Sequence, residues 1–172
     1  MNTAIILGSA RNQGNTHRLA QRVAHDIQAT LFNLADYDIT PYDYAHHNRG
    51  DDFLPLMKQV LRFDRIVLAS PVYWYSPSSS MKVFLDRLSD LMTIEKDMGR
   101  QMRKKSAALL ATGCDLTAPP CFEDIFQRTY SYLGIAYQGF LYCPCDDDID
   151  MHSHAAAIDD FVAKMATVEV AA

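Results

Sequence analysis

The sequence predicts an α/β fold, a doubly wound five-stranded parallel sheet with helices on both faces. Three observations carry that expectation. Short apolar runs alternate with segments of helical periodicity along the whole chain. The runs are apolar throughout, without a polar alternate, as in strands covered on both faces. No linker, repeat or low-complexity stretch divides the 172 residues, so one domain spanning 1–172 is expected, large enough to fold around its own core.

Taken in order, "TAIILG" (3–8) reads as a buried strand, after which Asn15 or Thr16 caps a helix with Leu19, Val23 and Ile27 on one face. "ATLFNLAD" (29–36) is the second strand. A polar connection, 37–50, leads to Asp51 or Asp52 as the cap of a helix that aligns Phe53, Leu56, Met57, Val60 and Leu61. "RIVLAS" (65–70) is the third strand. Pro77 and the serines 78–80 then open the longest helix, whose apolar stripe runs from Met81 to Met92 and which Gly99 ends. "SAALLATG" (106–113) is the fourth strand, followed by a helix around Phe122, Ile125, Phe126 and Leu133 that stops at Gly134. "IAYQGFLYC" (135–143) is the fifth, and a closing helix carries Ile158, Phe161, Val162 and Met165.

Right-handed crossovers leave few topologies, and five strands favour the order 2-1-3-4-5, the flavodoxin-like winding. In that order the helices after strands 1 and 3 leave on opposite faces, opening a crevice at the strands' carboxyl ends. Residues 8–16, 70–77 and 112–115 meet there.

Composition narrows what can bind. A net charge of −5 offers no general basic face for nucleic acid but permits a local anion pocket. The first apolar run lacks a basic flank and reads as a strand rather than a signal peptide, and no run is long enough to span a bilayer, so no membrane role and a cytoplasmic location are expected. The four cysteines include no C-x-x-C pair; reduced thiols are expected.

The loop "GSARNQGNT" (8–16) suits a dianion. Amides at a helix start are unpaired and sit at the positive end of its dipole. Gly8 and Gly14 permit close approach, Ser9, Asn15 and Thr16 add short donors, and Arg11 adds a permanent charge. No Gly-Lys-Ser/Thr follows and the spacing is not G-x-G-x-x-G, which argues against nucleoside triphosphates and the dinucleotide fingerprint. The alternative is a plain polar turn with a solvated arginine. In "SPVYWYSPSSS" (70–80), Tyr73, Trp74 and Tyr75 beside exposed amides suit a flat heteroaromatic ring, or else serve as core or subunit-contact residues. Thr112, Gly113, Cys114 and Asp115 close the third side, a weak signal alone.

Together, "GSARNQGNT" and "SPVYWYSPSSSMKVFLDRL" resemble the NADPH-dependent FMN reductase family, close to its multimeric flavodoxin and iron-sulfur flavoprotein branch. The resemblance implies that Ser9, Arg11, Gly14, Asn15 and Thr16 hold an FMN phosphate. It implies further that Pro71, Val72, Tyr73 and Trp74 border the isoalloxazine through backbone atoms, while Thr112, Gly113 and Cys114 flank its other side. It makes Lys82, Asp86 and Arg87 structural or interfacial, and implies a homodimer or homotetramer. Cluster-bearing relatives carry cysteines before the second helix; residues 40–53 contain none, so no iron-sulfur cluster and no other metal is expected.

The implied activity is that of an FMN-dependent oxidoreductase. Electrons pass from NADPH or NADH through bound FMN to a quinone or another small acceptor, with the chemistry on the flavin and no catalytic side chain. The rivals are a flavodoxin-like electron carrier without nicotinamide turnover, against which Arg11 weighs, and a flavin-free module of the same fold. Elsewhere, "CPCDDDIDMHSH" (143–154) fits no zinc spacing and reads as a solvated loop. His46 and His47 are expected to be exposed, Cys114 a buried spectator, and the run Arg100, Arg103, Lys104 and Lys105 a solvated helix end.

Overall fold

Residues 1–167 are described by a computed structural model. Its strands are β1 (Thr3–Leu7), β2 (Thr30–Asn33), β3 (Arg65–Tyr73), β4 (Ser76–Pro77), β5 (Ser106–Gly113) and β6 (Ala136–Pro144). The parallel ladder runs β2-β1-β3-β5-β6, with β4 a two-residue antiparallel stub on the end of β3. Leaving out the stub, this is the 2-1-3-4-5 order that the sequence predicts.

The register explains why the central runs carry no polar alternate. In β1, β3 and β5 successive side chains enter opposite cores. Ala4, Ile6, Ile66, Leu68, Ala107 and Leu109 join one, and Ile5, Leu7, Val67, Ala69, Ala108 and Leu110 join the other. The second core is closed by α1 (Asn15–Asp26) and α7 (Ala155–Thr167). The first is closed by α2 (Phe53–Val60), α3 (Ser79–Arg87), α4 (Asp90–Thr93), α5 (Lys96–Met102) and α6 (Pro120–Leu133). Gly134, at φ 71°, ends α6 in the left-handed conformation.

Three expectations are corrected. The edge strands are not covered on both faces: Thr30 in β2 is exposed and β6 is half-buried at most positions. The second strand ends at Asn33, whose side chain accepts from the Ala35 amide at 3.2 Å and starts a 3-10 turn over Leu34–Asp36. The single long helix over 78–99 is three helices, so among the described residues the longest is α6. Thr93 turns its hydroxyl onto the Ser89 carbonyl at 2.9 Å, and the chain breaks at 94–95 so that Met98 and Met102 reach the same core as Leu91.

Gly99 consequently lies inside α5 rather than after it. A Cβ there would clash with the Leu91 carbonyl oxygen. Gly99→Ala is therefore expected to destabilise by about 1–3 kcal/mol, read as a lower urea midpoint at an unchanged slope; a midpoint equal to wild type would refute this close approach.

The connection between β2 and α2 is tied down by α3, which shares its core with α2. Arg87 is fully buried and donates from Nε to Asp90 Oδ2 at 2.8 Å, from Nη1 to the Thr40 carbonyl at 2.9 Å and from both terminal nitrogens to Asp51. His46 Nδ1 lies 3.0 Å from the other Asp90 oxygen, so His46 is largely buried where the sequence suggests exposure, while His47 is exposed against Asp43. Lys105 also departs from the solvated run, donating to the Leu61 carbonyl at 2.7 Å. For α2, Asp52 holds the N-cap position, yet it is Asp51 Oδ1 that accepts from the Phe53 amide, at 3.1 Å.

Candidate functional site

The carboxyl ends of β1, β3 and β5 open onto a cavity of about 300 Å³, at the lower end of the range for small-molecule sites. Two buried serines, Ser70 and Ser78, join the segments beside it. Ser78, the N-cap of α3, donates to the Gly8 carbonyl at 2.7 Å and accepts from the Met81 amide at 3.2 Å, while its own amide donates to Ser70 Oγ at 3.0 Å. The end of β1, the end of β3 and the start of α3 are thereby locked together. Gly8 is required here, since a Cβ would lie 2.8 Å from the Met81 Cβ and 2.9 Å from its amide nitrogen.

Ser9, Arg11, Gly14, Asn15 and Thr16 form one wall of the cavity, Pro71, Val72 and Tyr73 a second, and Thr112, Gly113 and Cys114 a third. Arg11 is the only charged residue among them, and its exposed guanidinium has no partner among the described residues. The N-cap of α1 is Gly14, not Asn15 or Thr16, and no side chain caps it. The first-turn amides of Asn15, Thr16 and His17 are thus left for an outside acceptor, and no acidic residue occupies the turn to compete for them.

The side chains of Asn15 and Thr16 are committed elsewhere. Asn15 Nδ2 donates to Cys145 Sγ at 3.2 Å and to the Asp147 carbonyl, and its Oδ1 accepts from the Ile149 amide at 3.0 Å. Thr16 Oγ1 lies 2.7 Å from Thr112 Oγ1. What remains uncommitted at 15 and 16 is backbone N–H. Through Asn15 the segment 145–149 is anchored rather than freely solvated, with Ile149 buried, although Asp146, Asp147 and Asp148 are exposed.

Trp74 stands apart from the other sequence-selected residues. Tyr73 pairs with Ser76, so Trp74 and Tyr75 form a two-residue turn with φ of 48° and 64°, the doubly left-handed geometry of a tight hairpin. That turn leaves Trp74 91% exposed and places it on an adjoining cavity of about 290 Å³ with Tyr75, Asp115 and Tyr142. Val72, Gly113 and Cys114 are shared by both cavities.

Cys114 is exposed, not the buried spectator that the sequence suggests. Cys145 lines the crevice because β6 runs to Pro144, one residue past its apolar run, while Tyr142 lines the adjoining cavity. Tyr142 donates to the Asp115 carbonyl at 2.7 Å, and its phenol is pushed up to about 12 by burial, then by the charges of Asp115, Cys114, Cys145 and Cys143. Lys82 and Asp86 form an exposed ion pair of 2.6 Å on α3, away from these walls. Among the described residues no three His, Cys, Asp or Glu side chains converge as a metal would require, and no helix is long and apolar enough to cross a membrane.

The family model described as NADPH-dependent FMN reductase matches residues 1–118. A curated relative, the putative NAD(P)H-dependent FMN-containing oxidoreductase YwqN of Bacillus subtilis, is 28% identical over 152 residues, 82% of this chain and 83% of that protein. Among solved structures, a Trp repressor binding protein from Bacillus subtilis superposes with TM-score 0.78 at 22% identity, covering 98% of this chain and 100% of the other. An FMN-dependent NADH-azoreductase from Bacillus anthracis, solved in complex with FMN, gives 0.72 at 9% identity over 97% and 100%. At these identities the two superpositions establish the doubly wound fold.

Proposed function

The chain belongs to the NADPH-dependent FMN reductase family, and on that premise we propose that the crevice at residues 8–16, 71–73 and 112–114 holds FMN and that the electrons leave to a small flat acceptor such as a quinone or an azo compound. The protein is an FMN-dependent NAD(P)H oxidoreductase. FMN, when bound, would supply the redox chemistry between the reduced nicotinamide and the acceptor.

The residues of this chain bind and orient. Arg11, Ser9 and the free first-turn amides of α1 hold the phosphate, where charge and helix dipole act together. Val72 and Tyr73 on one side and Gly113 and Cys114 on the other would bracket the ring, where backbone amides could offset the negative charge of its reduced form. Trp74, on its exposed turn, borders the ring from outside this wall.

The observation that carries the reading is convergence: three segments far apart in sequence line one cavity whose single charged residue, Arg11, stands at an uncapped helix start. At the ring end, Tyr73, Trp74, Tyr75 and Leu116 are all exposed, a cluster that a second copy of the chain would cover. A homodimer or homotetramer of single-domain FMN-binding subunits, working in the cytoplasm, is the assembly we propose.

Titrating the purified chain into FMN should quench the flavin fluorescence, and NADPH or NADH should then be oxidised steadily with a quinone, at a rate that follows FMN occupancy. Uptake of FMN without nicotinamide oxidation would instead make the protein an electron carrier. Failure to take up FMN would refute the site.

A further inference from the structure

The end of β6 brings a second thiol into the crevice beside Cys114. We propose that Cys114 and Cys145 form a hydroperoxide-sensitive thiol pair in the crevice wall, closing a reversible disulfide between the ends of β5 and β6 that opposes FMN binding. The coupling to FMN rests on the reading of the crevice given above; the thiol pair itself does not.

The register supplies the distance. Gly113 and Pro144 are paired across β5 and β6, and the Cys145 amide donates to the Gly113 carbonyl at 2.7 Å. Cys114 and Cys145 are the residues that directly follow the ends of β5 and β6. Neighbouring strands lie about 4.8 Å apart, and a disulfide needs Cα atoms roughly 4.4–6.8 Å apart, so side-chain rotation is enough. Cys114 and Cys145 also line the same cavity.

The four free cysteines are not equivalent. Cys143 is fully buried and burial pushes its thiol up to about 12, which leaves it inert. Cys121, at the start of α6, turns its thiol to the Tyr75 carbonyl at 3.6 Å. Cys114 and Cys145 alone line the crevice. Of these two, Cys114 is the more exposed. Burial raises the Cys145 thiol, the Asn15 amide offsetting this only in part. Cys114 is accordingly the attacking sulfur and Cys145 the resolving one.

The Cys114 thiolate attacks one oxygen of a hydroperoxide, the O–O bond breaks, and the departing oxygen leaves as an alcohol, or as water from hydrogen peroxide, after taking up a proton. Cys114 is then a sulfenic acid. The Cys145 sulfur attacks it, the S–O bond breaks, and water leaves with the Cys145 proton. Two thiols and one hydroperoxide thus become one disulfide, one alcohol and one water. A small dithiol restores both thiols by exchange.

Two consequences tie this chemistry to the cofactor. Bound FMN would cover both thiols, since both line its cavity, and the disulfide would withdraw Cys145 from Asn15, at the head of the uncapped helix. Whatever FMN does to the disulfide, the disulfide does equally to FMN affinity.

The test is peptide mapping under non-reducing conditions after hydrogen peroxide treatment of the full chain, as purified and after loading with excess FMN. One cross-linked peptide joining Cys114 to Cys145, reversed by dithiothreitol, is expected. Cys145→Ser should stop at a sulfenic acid on Cys114 that dimedone traps, whereas Cys114→Ser should keep Cys145 reduced. FMN loading should slow cross-linking by roughly tenfold, and in a dithiothreitol redox buffer it should shift the dithiol–disulfide equilibrium toward the dithiol by the same factor by which oxidation lowers FMN affinity. A cross-link through Cys121 or Cys143, or a persistent sulfenic acid in the wild type, would overturn the pair, and equal rates with and without bound FMN would overturn the coupling. If the reduced protein takes up no FMN, the crevice assignment falls, while the mapping still decides the pair.

Discussion

Arg87→Met is expected to destabilise the protein by about 3–5 kcal/mol, among the largest effects any single substitution should have here. The guanidinium and the Asp90 side chain are 0% and 1% exposed and Asp51 is 7% exposed, so removing the cation strands two carboxylates in the core. Methionine approximates the lost volume, so the loss reports charge more than cavity, apart from the guanidinium stacked 4.8 Å from the Phe53 ring centre. Acid distinguishes the causes. Burial pushes the Asp51 carboxyl up, but hydrogen bonds from Arg87, Thr40 and the Phe53 amide outweigh it and hold the group below its usual 3.8. A depressed folded value means that Asp51 stabilises the wild type fully above the unfolded value and ceases to as pH falls through the folded one. In Arg87→Met the stranded carboxylates instead gain from protonation, so the deficit should be greatest near neutrality and narrow below about pH 5. Urea midpoints for both proteins across that range would show it, and a deficit independent of pH would refute the charge argument.

Arg87 also marks where sequence reading stops. Strand identity follows from local composition, because the middles of β1, β3 and β5 face two cores and read as continuous apolar runs. Likewise the loop 8–16 and its arginine are visible as a pattern. The link from Arg87 on α3 to Thr40 and Asp51, 47 and 36 residues away in the chain, leaves no periodic trace, and neither does the burial of His46 that depends on Asp90. The helix over 78–99 failed for a related reason: its apolar stripe is continuous, while its breaks arise from Thr93 and from α5 folding back onto α4 at Gly99. In the crevice, backbone placement was legible but side-chain commitment was not. Asn15 and Thr16 have the residue types of phosphate donors, yet their side chains bind Cys145 and Thr112. Cys145 entered the site only through a strand longer than its apolar run.

Arg11→Ala should weaken FMN binding by about 1.5–3 kcal/mol, roughly tenfold to a hundredfold, the range for a hydrogen bond to a charged group. The arginine is exposed, so solvent screening favours the lower part of that range. Because the side chains of Asn15 and Thr16 are engaged within the protein, the proposed phosphate site rests on Arg11, Ser9 and the first-turn amides, which concentrates its electrostatic share on one residue. Riboflavin supplies the control, since it carries the same ring and ribityl chain without the phosphate. Its affinity should be the same for wild type and Arg11→Ala, and raising the salt should narrow the gap in FMN affinity between them. Arg11→Lys should recover part of the loss, a point charge replacing a two-pronged donor. Equal FMN affinity in wild type and Arg11→Ala would remove the arginine from the phosphate site. An equal loss for riboflavin would mean that Arg11 shapes the cavity rather than binding the anion.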